Sequence, residues 1–349
     1  MKVAIVNDTP TVLEALRRII SAAPEHRILW TAADGAEAVR MCAAELPDLV
    51  LMDLIMPKMD GVDATRLIMA QTPCPILIVT SNVEDNAARV FAAMGHGALD
   101  AIDTPQLGSA NPLAAARPLL AKMAALNGLA GSADRRVGHV IPLRDRKRPP
   151  LIAIGASAGG PAALADILSN LPPTFPAPIV IVQHIDERFA AGMANWLTHH
   201  SAVPVRLAAE GDAPQPGHVL LAGTSDHLVM KAQGRLGYTA VPAEAVYRPS
   251  VDVFFESVCA HWSGDVVGVL LTGMGSDGAR GLRELREAGH YTLAQDRATS
   301  AVYGMPKAAA ALAAAIDILP LDKIPTRLID KLSPAYRREG GIDGRQDRR

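Results

Sequence analysis

Three short stretches in the second half of the chain carry side chains that could act together on an acyl group. Gly155-Ala156-Ser157-Ala158-Gly159 matches G-x-S-x-G, the pattern that sets a serine on a sharp strand-to-helix turn with its hydroxyl exposed. His184 directly follows the apolar run PIVIVQ. Asp277 lies in Thr272-Gly273-Met274-Gly275-Ser276-Asp277-Gly278, the glycine-rich stretch after DVVGVLL. A serine hydroxyl is a weak nucleophile until a base takes its proton, and the base needs a third group to fix its ring. The loop around Met274 adds backbone N–H groups that can face a developing oxyanion. Each residue also has a plainer use. Ser157 fits a phosphate-binding loop or a simple turn, His184 a structural strand end, and Asp277 a helix N-cap. The phosphate loop is disfavoured, because no P-loop lysine follows and GASAGG misses the middle glycine of G-x-G-x-x-G. The chain order Ser, His, Asp departs from the α/β-hydrolase order, in which histidine comes last.

Nearer the start, Asp8 follows KVAIV, Asp53 stands at the end of DLVLM and Thr80 at the end of PILIV. Two carboxylates and a hydroxyl at one mouth suit Mg²⁺, which takes one or two protein carboxylates and shares a phosphoryl group. Taken singly, each is equally a cap or turn residue. The histidines, including the adjacent His199 and His200, show no H-E-x-x-H spacing, so a zinc hydrolase is not expected.

For these residues to meet, their runs must be strands of open α/β sheets, where the functional crevice lies beyond the carboxyl ends. Up to about Asp103, five β-rich runs alternate with helix-period segments, which predicts a five-stranded parallel sheet covered on both faces. Asn111 to Asn127 reads as a further helix. GLAGSADRRVGHVIPLRDRKRPP has no apolar period and reads as a linker. From Leu151 the alternation resumes and predicts a doubly wound α/β domain. Three short strands in its middle, HVLLAG, HLVMK and RLGYTAV, form an antiparallel excursion, followed by a helix from Val251, the strand DVVGVLL, a helix from Asp277 and the strand YTLAQ. The expected boundaries are 1–126, a linker over 127–150, 151–336, and a disordered tail over 337–349.

Composition narrows the class. The 349 residues are 49% hydrophobic and 20% charged, which fits two globular domains. A net charge of −2 gives no bulk reason to bind nucleic acid, and no compact basic helix-turn-helix is present. Three scattered cysteines suggest neither a disulfide framework nor a thiolate metal site and fit a reducing cytoplasm. No run approaches the ~18 apolar residues of a membrane span, so direct membrane insertion is not expected.

VNDTP, LMDLIMPKMDG, ILIVTS and AMGHGALD resemble the receiver domain of bacterial response regulators, a flavodoxin-like fold. The resemblance implies that Asp53 accepts a phosphoryl group from a CheA-type histidine kinase, that Asp8 and Asp53 hold Mg²⁺, and that Thr80 senses the phosphate. Three positions depart from that pattern: Asn7 where an acidic residue is usual, Thr104 where a lysine is usual, and Ala101 where an aromatic residue is common. GASAGG, VQHID, YRPSVDVFFES and LTGMGSDGARGL are similar to the catalytic domain of the chemotaxis protein-glutamate methylesterases, the CheB family, and IVNDTP with LMDLIMPKMDG resembles its WspF-like branch. This implies that Ser157 attacks a γ-glutamyl methyl ester on a methyl-accepting chemoreceptor, His184 moves the proton, Asp277 fixes the imidazole, and the Met274 backbone stabilises the oxyanion. It also implies glutamine deamidation and an ester reaction that needs no cofactor. Ala158 stands where many members have threonine. Arg248 is expected either to meet acidic receptor segments or to be a solvated loop charge. The expected regulation is a receiver that covers the esterase mouth until Asp53 is phosphorylated. The alternative function is a phosphorylation-controlled receptor-binding module with little turnover.

Overall fold

The computed structural model describes residues 1–83, 85–105, 112–127 and 148–332. Most of the expected linker and all of the expected tail lie outside the described residues. The chain divides into two compact units. Among the described residues, no helix is long and apolar enough to cross a membrane.

The first unit contains β1 (Lys2–Val6), α1 (Pro10–Ser21), β2 (Arg27–Ala32), α2 (Gly35–Ala44), β3 (Leu49–Met52), α3 (Gly61–Gln71), β4 (Ile76–Thr80), α4 (Ala87–Gly95), β5 (Asp100–Asp103) and α5 (Pro112–Asn127). Its five strands run parallel in the order β2-β1-β3-β4-β5, as the alternation of apolar runs predicts. That order reverses between β1 and β3, so Asp8 and Asp53 leave the sheet at its topological switch point. The central strands β3 and β4 are buried along their whole length because helices cover both faces. Asp34 and Asp60 start α2 and α3 by accepting the N–H groups of Glu37 and Asp63. The loop after β3 then folds back on the strand end. A Cβ at Gly61 would lie 2.0 Å from the Asp53 carbonyl oxygen, so only glycine fits there.

From Leu151 onward the chain contains β6 (Leu151–Ala156), α6 (Gly160–Ser169), β7 (Ile179–Gln183), α7 (Glu187–His199), β8 (Val205–Leu207), β9 (Val219–Leu221), β10 (His227–Lys231), β11 (Arg235–Thr239), α8 (Val251–His261), β12 (Val266–Leu270), α9 (Ala279–Glu287), β13 (Tyr291–Gln295), α10 (Met305–Ala311), β14 (Asp317–Leu319) and α11 (Ile324–Leu332), and the second unit holds nearly all of it. Seven strands form one parallel sheet in the order β14-β13-β12-β6-β7-β9-β8. The chain winds outward from β6 in both directions, which makes this sheet doubly wound.

The antiparallel excursion has two strands rather than three, since β10 and β11 alone pair antiparallel among the described residues. HVLL belongs instead to the main sheet, where β9 lies parallel between β7 and β8. Its three residues are all buried, the mark of a strand covered on both faces, and the stretch 208–218 is long enough to return the chain for a parallel pairing. The helix expected from Asp277 begins at Ala279, after Gly278 at φ +85°. The alternation also continues beyond YTLAQ into α10, β14 and α11.

The core of this unit packs α8 against the sheet through Val251, Phe254, Phe255 and Val258. Close approach at the helix start depends on Gly155, where a Cβ would meet Val251 Cγ1 at 2.2 Å and Leu270 Cδ1 at 3.1 Å. Gly155→Ala is therefore expected to cost about 1–3 kcal/mol through overpacking, read as a lower urea midpoint with an unchanged slope; a midpoint equal to wild type would show that α8 can move away freely.

Candidate active site

Strand register brings the serine and histidine to one rim. Ala156 pairs with Gln183 at the end of β6 and β7, so Ser157 and His184 are the next residues on neighbouring parallel strands. The His184 N–H donates to the Ala156 carbonyl at 3.0 Å. On the other side of β6, Leu270 pairs with Gly155, so the loop 272–278 leaves β12 at the same edge. Ser157 is buried in the turn before α6, where Gly159 takes φ +79° and Gly160 N–H donates to the Ser157 carbonyl at 2.8 Å.

The imidazole and the carboxylate meet directly. His184 Nε2 lies 2.8 Å from Asp277 Oδ2, and both side chains are about nine-tenths buried. The other ring nitrogen, Nδ1, is buried with no hydrogen-bond partner among the described residues. Tyr247 lies flat on the ring, with centroids 4.1 Å apart and planes 8° from parallel.

Asp277 does not cap the helix that follows it. It accepts from Ser250 Oγ at 2.8 Å, Val251 N at 2.7 Å and Asp252 N at 3.1 Å, so its charge sits on the first turn of α8. Burial pushes the Asp277 carboxyl up, but the hydrogen bonds from His184, Val251 and Ser250 outweigh it and hold the group below the usual carboxylate range. Ser250 also caps α8 by accepting the Val253 N–H at 3.3 Å. The Ser250 N–H in turn donates to Nδ1 of the fully buried His227, whose Nε2 lies 3.0 Å from the Pro242 carbonyl. Tyr247, Ser250, Asp252 and His227 were not singled out from the sequence. The signal for the first three was YRPSVD, a polar stretch placed directly before an apolar helix, and His227 opens the separate stretch HLVMK.

The glycine loop is held from outside. Gly273 N–H donates to the Val302 carbonyl at 3.0 Å, and the Gly273 carbonyl accepts Gly304 and Met305 N–H at 3.0 and 2.8 Å. The Met274 carbonyl accepts the Tyr247 hydroxyl at 3.4 Å. Arg248, by contrast, is paired with Asp226 at 2.8 Å on the surface.

In the first unit, Asp53 Oδ1 accepts Leu54 N–H at 2.7 Å and Oδ2 accepts Asn7 Nδ2 at 3.0 Å. Asn7 thus presents its amide N–H to Asp53, while its oxygen is taken by Thr9 N–H at 2.9 Å. Burial pushes the Asp53 carboxyl up, and the Asp8 charge adds to this against the Leu54 and Ile55 N–H groups. Thr80 is buried, with Asn86 Nδ2 3.3 Å from its hydroxyl, and Thr104 N–H donates to its carbonyl at 2.7 Å. Two carboxylates that repel each other at a strand-end mouth form an oxygen donor set that fits Mg²⁺.

Residues 3–108 match the family model for the response regulator receiver domain, and residues 152–328 match that for CheB methylesterase. Protein-glutamate methylesterase/protein-glutamine glutaminase 3 of Pseudomonas savastanoi pv. phaseolicola is 58% identical over 95% of this chain and 99% of its own length. The protein of the same name from Pseudomonas aeruginosa is also 58% identical, over 95% of this chain and 99% of its own. The crystal structure of the Thermotoga maritima CheB methylesterase catalytic domain aligns with a TM-score of 0.51 and 36% identity, over 52% of this chain and 98% of that one.

Beside Asp277, the Asp252 carboxyl is pushed up to about 7 by burial and by the Asp277 charge, despite Gly281 N–H and Arg280. An acid raised in the folded state holds its proton there after the unfolded chain has lost it, so its contribution to stability falls as pH rises from about 4 to about 7. Asp252→Asn is expected to gain on wild type by on the order of a few kcal/mol between pH 5 and pH 8 in urea denaturation. A difference that stays constant across that range would mean Asp252 is ionised in the folded protein throughout.

Proposed function

The chain belongs to the CheB methylesterase family, and on that premise we propose that it hydrolyses γ-glutamyl methyl esters on methyl-accepting chemoreceptors and deamidates receptor glutamines. The observation that carries this is the buried His184–Asp277 pair, whose Nδ1 has no hydrogen-bond partner among the described residues, at the strand end next to Ser157. Because Nε2 is engaged by Asp277, Nδ1 is the nitrogen left to take a proton. Ser157 Oγ attacks the ester carbonyl carbon as its proton passes to Nδ1. The resulting oxyanion faces the Met274 N–H. Collapse breaks the C–O bond to the methoxy group, and the Nδ1 proton leaves with it as methanol. Water then attacks the glutamyl–Ser157 ester, giving its proton to Nδ1. Collapse returns the Nδ1 proton to Ser157 and releases the glutamic acid side chain, which loses its remaining proton to solvent as the carboxylate. With glutamine the first leaving group is ammonia.

Asp277 remains ionised through these steps, so it stabilises the imidazolium each time it forms. Ala158 supplies no hydroxyl, which leaves oxyanion stabilisation to the backbone.

The receiver domain supports control by phosphorylation. Asp53 is the proposed acceptor from a CheA-type histidine kinase; Asp8 and Asp53 would hold Mg²⁺, which would neutralise charge on the phosphoryl group. Asn7 orients the Asp53 carboxylate through Oδ2, and the Thr80 hydroxyl contacts the phosphoryl oxygens. Thr104 brings no ammonium to that contact.

Methanol release from methylated receptor tests the chemistry. Ser157→Ala is expected to lower it by about 10³-fold or more, and ammonia release from a glutamine-bearing receptor should fall with it. Equal release from both proteins would make the chain a receptor-binding module instead. Acetyl phosphate with Mg²⁺ is expected to change the wild-type rate and to leave that of Asp53→Ala unchanged.

A further inference from the structure

We propose that Tyr247 is a positioning residue for this reaction, setting the plane of the His184 imidazole and tying it to the loop that carries Met274. The inference rests on His184 being the base. One hydrogen bond to Asp277 fixes a single point of the ring and leaves it free to pivot about that contact. The Tyr247 face, 4.1 Å away and within 8° of parallel, removes the pivot and so decides where Nδ1 points. The phenol is fixed in turn, because its hydroxyl donates to the Met274 carbonyl at 3.4 Å. Gly275 makes room for it. That residue takes φ +79°, and a Cβ there would stand 2.7 Å from the Tyr247 oxygen. Burial, with the Asp277 charge, pushes the phenol well above its ordinary range, so it stays a neutral hydrogen-bond donor.

A second effect follows from the stack. When Nδ1 takes the serine proton, the ring becomes a cation lying on an aromatic face, an attraction that the neutral imidazole lacks. Tyr247 therefore favours the protonated ring of the transition state over the resting one, which is the kind of contact that raises kcat rather than lowering KM. Around the same ring, Asp277 holds Nε2, and Asp252 faces Asp277 from α8 with Arg280 and Glu256 beside it.

Full-length Tyr247→Leu and Tyr247→Phe, compared with wild type and Ser157→Ala on methylated receptor, test this. Tyr247→Leu is expected to lower kcat by roughly 3- to 30-fold with KM within about twofold, and to move the acid limb of kcat against pH to lower pH. Tyr247→Phe keeps the stack and is expected to recover most of the loss and restore the acid limb. A Leu variant with wild-type kcat and pH profile overturns the inference. So does one whose loss appears in KM alone, or alongside a lowered Tm with the acid limb unmoved. A wild-type rate no higher than Ser157→Ala overturns the esterase reading and the inference together, which separates the two failures.

Discussion

A single desolvated carboxylate, Asp277, organises the catalytic unit. An ion buried in this way costs several kcal/mol unless every oxygen is engaged, and Asp277 meets that demand with the N-terminus of α8, the Ser250 hydroxyl and the His184 ring. The demand reaches backward through the structure. The first turn of α8 must come up to the sheet edge, which requires the missing side chain at Gly155, and Ser250 must be held with its hydroxyl inward, which the buried His227 does from below. Catalytic geometry is here a by-product of satisfying one charge.

Asp53 shows the contrasting solution. Its partners among the described residues are the Asn7 amide and the N–H groups of Leu54 and Ile55, and Asp8 pushes on it rather than relieving it. Where Asp277 faces a helix start and an imidazole, Asp53 faces a second carboxylate. That is the state expected of a carboxylate that is to be modified or to receive a cation. The two acids occupy equivalent places, beyond the carboxyl ends of parallel strands, and differ in whether a helix start is aimed at them.

The sequence made the strand-end residues legible because period-2 and fully apolar runs end abruptly, and the next polar residue must then face the crevice. Ser157 is legible through its G-x-S-x-G setting, and His184 and Asp277 through their places after apolar runs as a base and its orienting group; family resemblance attached them to one reaction. What lay beyond reach depended on contacts between distant segments. Asp277 reads locally as the cap of its own helix, and nothing in GSDG says that it serves α8, about 25 residues earlier. Tyr247 and His227 carry no periodic signal because they lie between elements or at a strand edge. The strand HVLL reads from sequence as part of the antiparallel excursion because three apolar residues suit either pairing, and only the length of the stretch before it favours the parallel one.

Asp277 serves helix α8 as well as the imidazole, so folding and chemistry draw on the same atom. Selection for catalysis can lapse in a duplicated copy without relaxing this position, since losing the carboxylate would strand the helix start. Decay of such a copy should therefore register first at Ser157 or His184. A descendant that had stopped working would still keep its acid.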